Sequence, residues 1–139
     1  MEVEIRRVGA GDMDLFARVA PEVFDEPVRP DRLAAYLAEP GHLMLLAIGG
    51  GEVVGQCAAV IHRHPDKPAE LYIDEVGVTP ALHRQGIARR MLEAMFALGR
   101  EFGCGESWVG TEPDNTAALG LYRQRGGAES PVVMFEYEL

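Results

Sequence analysis

The chain is predicted to be an α/β protein with a mixed sheet in a single domain spanning residues 1–139. Three observations carry that expectation. Residues 71–92 read as a buried strand running into a loop that opens directly into an amphipathic helix. Gly49-Gly50-Gly51 joins two apolar strand-like runs as a tight hairpin, and no helix follows it, so it reads as a turn and not a phosphate cradle. Strand and helix periodicities succeed each other along the chain without an internal repeat or a low-complexity linker.

Residues 2–8 alternate Val3 and Ile5 with Glu4 and Arg6, which predicts a first strand. Asp12 is placed to cap a helix reaching about Phe24, with Leu15, Phe16, Val19 and Val23 near a helical repeat. Pro27 and Pro30 interrupt the chain, and Asp31 starts a short helix carrying Leu33, Tyr36 and Leu37 that stops near Pro40-Gly41. Strands are expected over His42–Ile48, Glu52–His64 and Ala69–Val78. From Gln85 to Phe102 the residues Ala88, Met91, Leu92, Met95 and Phe102 line one helical face. A strand over Glu106–Thr111 precedes Asp114, a natural N-cap for a helix over 115–125 that ends at Gly126-Gly127. A final strand is expected over Val132–Leu139.

Composition narrows the function. A hydrophobic fraction of 47% and a charged fraction of 25% suit an ordinary soluble domain. No apolar run approaches a membrane span, and Met-Glu-Val-Glu-Ile lacks the basic and apolar regions of a signal peptide, so a cytoplasmic protein is expected. A net charge of −9 argues against nucleic acid and suits attraction of a polycationic substrate. Cys57 and Cys104 lack a C-x-x-C spacing and read as reduced, core-packed thiols.

The loop that ends in Gly86 is the most informative segment. A helix N-terminus leaves its first amides unpaired and carries partial positive charge. Gly86 lets a phosphate approach the backbone there, and Arg84 and Arg89 add formal charge on either side. His83-Arg-Gln-Gly-Ile-Ala88 resembles the pyrophosphate loop of the GNAT acetyltransferases, Q/R-x-x-G-x-G/A; Gly86 and Ala88 fit, and His83 departs from the first position. A second family motif follows as Asn115-x-x-Ala118-x-x-Leu121-Tyr122-x-x-x-Gly126, with Gly127 in place of the usual aromatic. The resemblance covers roughly residues 52 to 127 well and the N-terminal third in outline.

This resemblance implies a sheet of six to seven strands flanked by about four helices, with the fourth and fifth strands splayed to admit the pantetheine arm of acetyl-CoA. It places pantetheine against the backbone of Val76 and Val78, with Gly77 permitting close approach. One amide, that of Val76, would polarise the thioester carbonyl. His83, Arg84, Gln85, Gly86, Ile87, Ala88 and Arg89 would hold the pyrophosphate. Asn115 and Ala118 would meet the pantetheine, and Tyr122 would protonate the leaving thiolate. A phenol of pKa about 10 is still protonated at neutral pH and can donate. Glu75 is the expected base for the acceptor amine, directly or through water, because a carboxylate in a central strand is costly unless it meets a cation, a donor or water. Strand alternation puts Asp74 and Glu75 on opposite faces.

Glu70-Leu-Tyr-Ile-Asp-Glu-Val-Gly-Val78, together with the loop, is most similar within that family to the small aminoglycoside 3-N-acetyltransferases. This implies a pocket ringed by Asp25, Glu26, Glu75, Glu136 and Glu138 for a polycationic amine, and a homodimer paired through C-terminal strands. Peptide N-terminal acetylation is the alternative. Enzymes of that kind usually carry a glutamate base where Val109 and Gly110 stand here. A non-catalytic CoA-binding domain would not need Glu75 and Tyr122, and both are present. His62-Arg-His64 puts two imidazoles on one strand face, a pairing that can ligate zinc, but the sequence shows no third ligand, so no metal is expected.

Overall fold

Five strands lie in a single sheet in chain order. The computed structural model describes all of residues 1–139. Strands β1 (Val3–Arg7), β2 (His42–Gly49), β3 (Glu52–His62) and β4 (Glu70–Val78) pair antiparallel in succession. Helix α2 (Ile87–Glu101) then crosses the sheet, so β5 (Glu106–Val109) returns parallel to β4. Helix α1 (Pro30–Ala38) precedes β2 and α3 (Thr116–Gln124) follows β5, while 3-10 helices occupy Ala10–Ala17 and Pro80–Leu82. The mixed sheet is the one expected, with five strands in place of six to seven.

The absent strand is the C-terminal one. Residues 128–139 form no strand, and Val132, Val133, Met134, Phe135, Tyr137 and Leu139 are all at least 74% exposed. An alternating sequence becomes a strand only where another strand accepts its backbone groups, and within this chain none does.

The helix expected over residues 12–24 is also shorter. Its Asp12 does not cap from the front; its carboxylate accepts the Gly9 amide at 2.9 Å and pairs with Arg6 at 3.2 Å. Beyond Ala17 the backbone is taken up by the sheet. Val19 bridges Val53, the Ala20 amide donates to the Val53 carbonyl at 2.8 Å, and Val53 donates to Arg18 at 2.9 Å. Pro21 could not continue a helix in any case, because it lacks the amide hydrogen.

The core forms where α2 lies on the sheet. Met91, Leu92 and Met95 are fully buried, each stabilising the fold by about 1.5–3 kcal/mol. Ile87 and Leu98 share that buried face, with Ala88 and Phe102 at its margin. Helix and strand approach closely because Gly99 has no side chain: a Cβ there would lie 2.8 Å from Leu71 Cδ2.

Two departures from regular pairing shape the far end of β4. Ala59 pairs with Ile73 and Ala58 with Glu75, so Asp74 is an extra, bulged residue. The β5 pairing ends at Ile73–Val109, so residues 74–78 have a neighbour on the β3 side alone. The end of β4 is therefore open on the side where β5 stops.

Candidate active site

The bulge decides where the acids point. Alternation from the core-facing Ile73 sends Asp74 to the opposite face. Cross-strand pairing with Ala58 sends Glu75 to that face as well. The expectation of opposite faces is therefore corrected. Both carboxylates also lie close enough to raise the pKa of the Tyr36 phenol, after the larger effect of its burial.

On the unpaired edge, the backbone directions follow from one hydrogen bond. The Thr79 amide donates to Val54 of β3 at 2.8 Å, so the amides and carbonyls of Val76 and Val78 point the other way, toward the open side. The Val78 carbonyl is met at 2.7 Å by His83 Nε2, which braces the loop to the strand.

Gly77 is also required by packing. A Cβ on it would lie 2.5 Å from the Val23 carbonyl, so the missing side chain admits the 18–29 segment. The same carbonyl accepts Gln56 Nε2 at 3.3 Å. Gln56 is fully buried, its Oε1 has no partner, and its side-chain amide favours the ionised form of the nearby Glu75 carboxylate. Sequence reasoning missed Gln56; the available signal was an amide within an apolar strand.

The loop before α2 turns through two left-handed residues, Arg84 at φ 63° and Gly86 at φ 78°. For Arg84 this conformation is strained, as is common at ligand sites. Gly86 is the N-cap of α2, and the first bond of the helix runs from Arg90 N to Gly86 O at 3.0 Å. The amides of Ile87, Ala88 and Arg89 therefore have no backbone acceptor and point out of the helix end. Arg84 and Gln85 are exposed beside them, and Arg89 pairs with Glu93 at 3.4 Å. Glu93 also binds Arg125 of the segment after α3.

On α3 the cap is Asn115 and not Asp114: Asn115 Oδ1 accepts the Ala118 amide at 3.1 Å. Its side-chain amide hydrogens remain free to donate. Tyr122 is half-buried against the core, and burial, with a smaller effect from Cys57, raises its pKa above 10. Cys57 pairs with Val76 and so faces the side of the sheet opposite Glu75. Tyr122 and Glu75 thus approach the open edge of β4 from its two faces and do not touch each other. Burial pushes the Cys57 thiol up to about 12, and both cysteines are unlinked.

Asp25, Glu26 and Glu75 meet in a cavity of about 380 Å³ walled by Phe16, Phe24, Tyr36 and Met44. Arg29 and Arg32 line it too, and sequence reasoning did not anticipate them; Arg29 is bound to Asp31 at 2.9 Å, while Arg32 has no ion-pair partner. Glu136 and Glu138 are not part of it. They lie in the exposed C-terminal segment, which corrects the expectation of five acids around one pocket. Burial raises the pKa of Glu75, with further contributions from Asp25 and Asp74, and burial likewise raises Asp74. A carboxylate in this state is a stronger base than a free one.

A strand with a free edge, a helix N-terminus with unpaired amides and a half-buried carboxylate beside an acidic cavity all follow from one strand-loop-helix unit and the segment packed on it. The chain belongs to the acetyltransferase (GNAT) family, whose model matches residues 13–127. It is 31% identical over 126 residues to the N-alpha-acetyltransferase RimI of Mycobacterium tuberculosis, covering 89% of this chain and 77% of the relative. It is 25% identical over 116 residues to the aminoglycoside N(6')-acetyltransferase type 1 of Salmonella typhimurium, covering 80% and 73%. That relative is named for the 6' position and not the 3-N position. In fold the chain is similar to an aminoglycoside acetyltransferase from an uncultured soil metagenomic sample, crystallised with sisomicin, at a TM-score of 0.86 and 21% identity over 99% of this chain and 96% of that one. The protein is a GNAT-type N-acetyltransferase, and acetyl-CoA is the donor that this family uses.

The folded-state pKa of Glu75 lies above its usual 4.5. Its contribution to stability is therefore full below that pH and is lost as pH rises through the raised value. Glu75→Gln, a mimic of the neutral form, is expected to melt above the wild type at pH 7, with the gap closing toward pH 4. Thermal unfolding at both pH values checks this, and equal destabilisation at both would contradict it.

Proposed function

We propose that this enzyme acetylates a primary amine of a small, multiply aminated molecule such as an aminoglycoside, by direct attack on acetyl-CoA. The observation that carries this reading is Glu75: a carboxylate made more basic by burial and by Asp25, set in an acidic cavity beside the open edge of β4. Asp25 and Glu26 attract the ammonium groups of the acceptor. Glu75 takes the proton from the reacting nitrogen, directly or through water, and frees its lone pair to attack the thioester carbonyl. The Val76 amide donates to the carbonyl oxygen as negative charge builds there. As the C–S bond breaks, Tyr122 donates its proton to the departing sulfur.

Val76 and Val78 pair with the pantetheine as a further strand would, with Gly77 between them, and Asn115 holds its amide. The N-terminal amides of α2 at Ile87, Ala88 and Arg89, with Gly86, Gln85 and Arg84, take the pyrophosphate. His83 contributes by bracing that loop. The Salmonella typhimurium relative is named for N(6'), so the site of acetylation is to be read from the product.

A second reading, acetylation of a peptide N-terminus, draws on the 31% identity to the N-alpha-acetyltransferase and on Arg32, an unpaired cation at the cavity that suits an acidic peptide.

The proposal includes a homodimer. Six apolar side chains of the C-terminal segment stand in solvent, the segment makes no backbone hydrogen bond to the rest of the chain, and the outer edge of β5 has no neighbour. A second copy satisfies both. Glu136 and Glu138 then belong to the subunit contact.

Thiol release from acetyl-CoA should occur with aminoglycosides, and Glu75→Gln should lower kcat/KM by about 10²–10⁴-fold, with Tyr122→Phe acting mainly on kcat. Turnover on peptides alone would favour the second reading, and full activity in Glu75→Gln would remove the proposed base. Light scattering should give a dimer that becomes monomeric on truncation after Ser130. A full-length monomer would refute the pairing.

A further inference from the structure

At the opposite end of β4 from the acetyl-transfer site, the fold assembles a group of side chains that this chemistry does not use. His62 ends β3 and pairs directly with Glu70, the first residue of β4. His64, two residues on, folds back over the same pair. One ligating atom from each of His62, His64 and Glu70 lies within 4.8 Å of the others. The sequence offered two imidazoles and no third ligand; strand pairing supplies the third.

The spacing inside the group fits ligands that share one ion. His64 Nε2 and Glu70 Oε1 are 3.3 Å apart, yet the nitrogen is buried and makes no hydrogen bond. Two ligands on one tetrahedral zinc, each about 2.0–2.1 Å from the metal, are separated by about 3.3–3.4 Å. The second carboxylate oxygen is already committed: Trp108 Nε1 on β5 donates to Glu70 Oε2 at 3.0 Å. That bond fixes the carboxylate plane and leaves Oε1 turned toward the imidazoles, as outer hydrogen bonds do for metal-binding carboxylates. Trp108 is in turn held by stacking on Tyr72, with ring centroids 4.1 Å apart. The His62 ring is exposed and lies 4.3 Å from the His64 ring, so it can swing in without disturbing the core.

We propose that His62, His64 and Glu70 bind one Zn²⁺, with water completing a tetrahedral site. Two imidazoles and one carboxylate suit zinc in preference to magnesium or calcium, which take oxygen ligands. Glu70 is six residues from Val76 along an extended strand, about 20 Å away, so the ion takes no part in acetyl transfer. Its place is structural: it clips the end of β3 to the start of β4 and closes the loop of residues 63–69 between them.

The test uses full-length protein without a polyhistidine tag, stripped with chelator and titrated with ZnCl₂ by calorimetry. One zinc per chain should bind at micromolar concentration and raise Tm. Co²⁺ in its place should give the intense visible absorption of a tetrahedral centre. His64→Ala and Glu70→Gln should abolish both signals, His62→Ala should weaken binding at least tenfold, and Trp108→Phe should weaken it about 10–100-fold. Chelator-treated Glu70→Gln should retain wild-type thiol release, which establishes that it is folded. Failure of the wild type to bind zinc, or unchanged binding in folded His64→Ala and Glu70→Gln, would overturn the site.

Discussion

The rest of the site depends on a strand whose second edge is left unpaired. β4 is held by β3 along its length, but β5 accompanies it only as far as Ile73. Leaving backbone amides and carbonyls without partners is unfavourable in a protein interior, so such an edge persists where water or a ligand takes the missing neighbour's place. Its counterpart is the start of α2, where Gly86 begins the helix without a capping side chain and the first amides are unsatisfied. Both sets of free groups follow in the chain from the same strand-loop-helix unit, and the His83 bond to Val78 sets one relative to the other.

The acceptor side is tied to this edge by packing. The 18–29 segment descends onto β4 because Gly77 presents no side chain and Gln56 holds the Val23 carbonyl from below. That contact brings Asp25 and Glu26 over Glu75. Desolvation and like charge then raise the basicity of Glu75, at a cost in stability that the α2 core offsets. Cavity, base and donor edge are thus consequences of one seam.

Much of this was legible in the sequence. The hairpin at Gly49–Gly51, the long amphipathic helix and the strand-loop-helix unit announce themselves through local periodicity and turn chemistry, and the structure places them within a few residues of expectation. What escaped depends on non-local pairing. Simple alternation set Asp74 and Glu75 apart, and only the register against Ala58 and Ala59 reveals the bulge that brings them to one face. The segment after Ala17 looked helical until β3 claimed its backbone, although Pro21 was a warning. Gln56 reads as a lone polar residue in a strand until Val23 arrives above it, and Glu70 becomes a neighbour of the two histidines only when β3 meets β4. The C-terminal alternation is real, but a strand is defined by its partner, and this chain alone does not provide one.

Hydrogen–deuterium exchange with and without acetyl-CoA is the most direct test of the central claim, that the unpaired edge of β4 and the start of α2 receive the donor. New protection is expected at Val76 and Val78 and at Ile87 to Arg89, with β1 and β2 unchanged. Protection confined to other segments, with these amides exchanging as before, would contradict it.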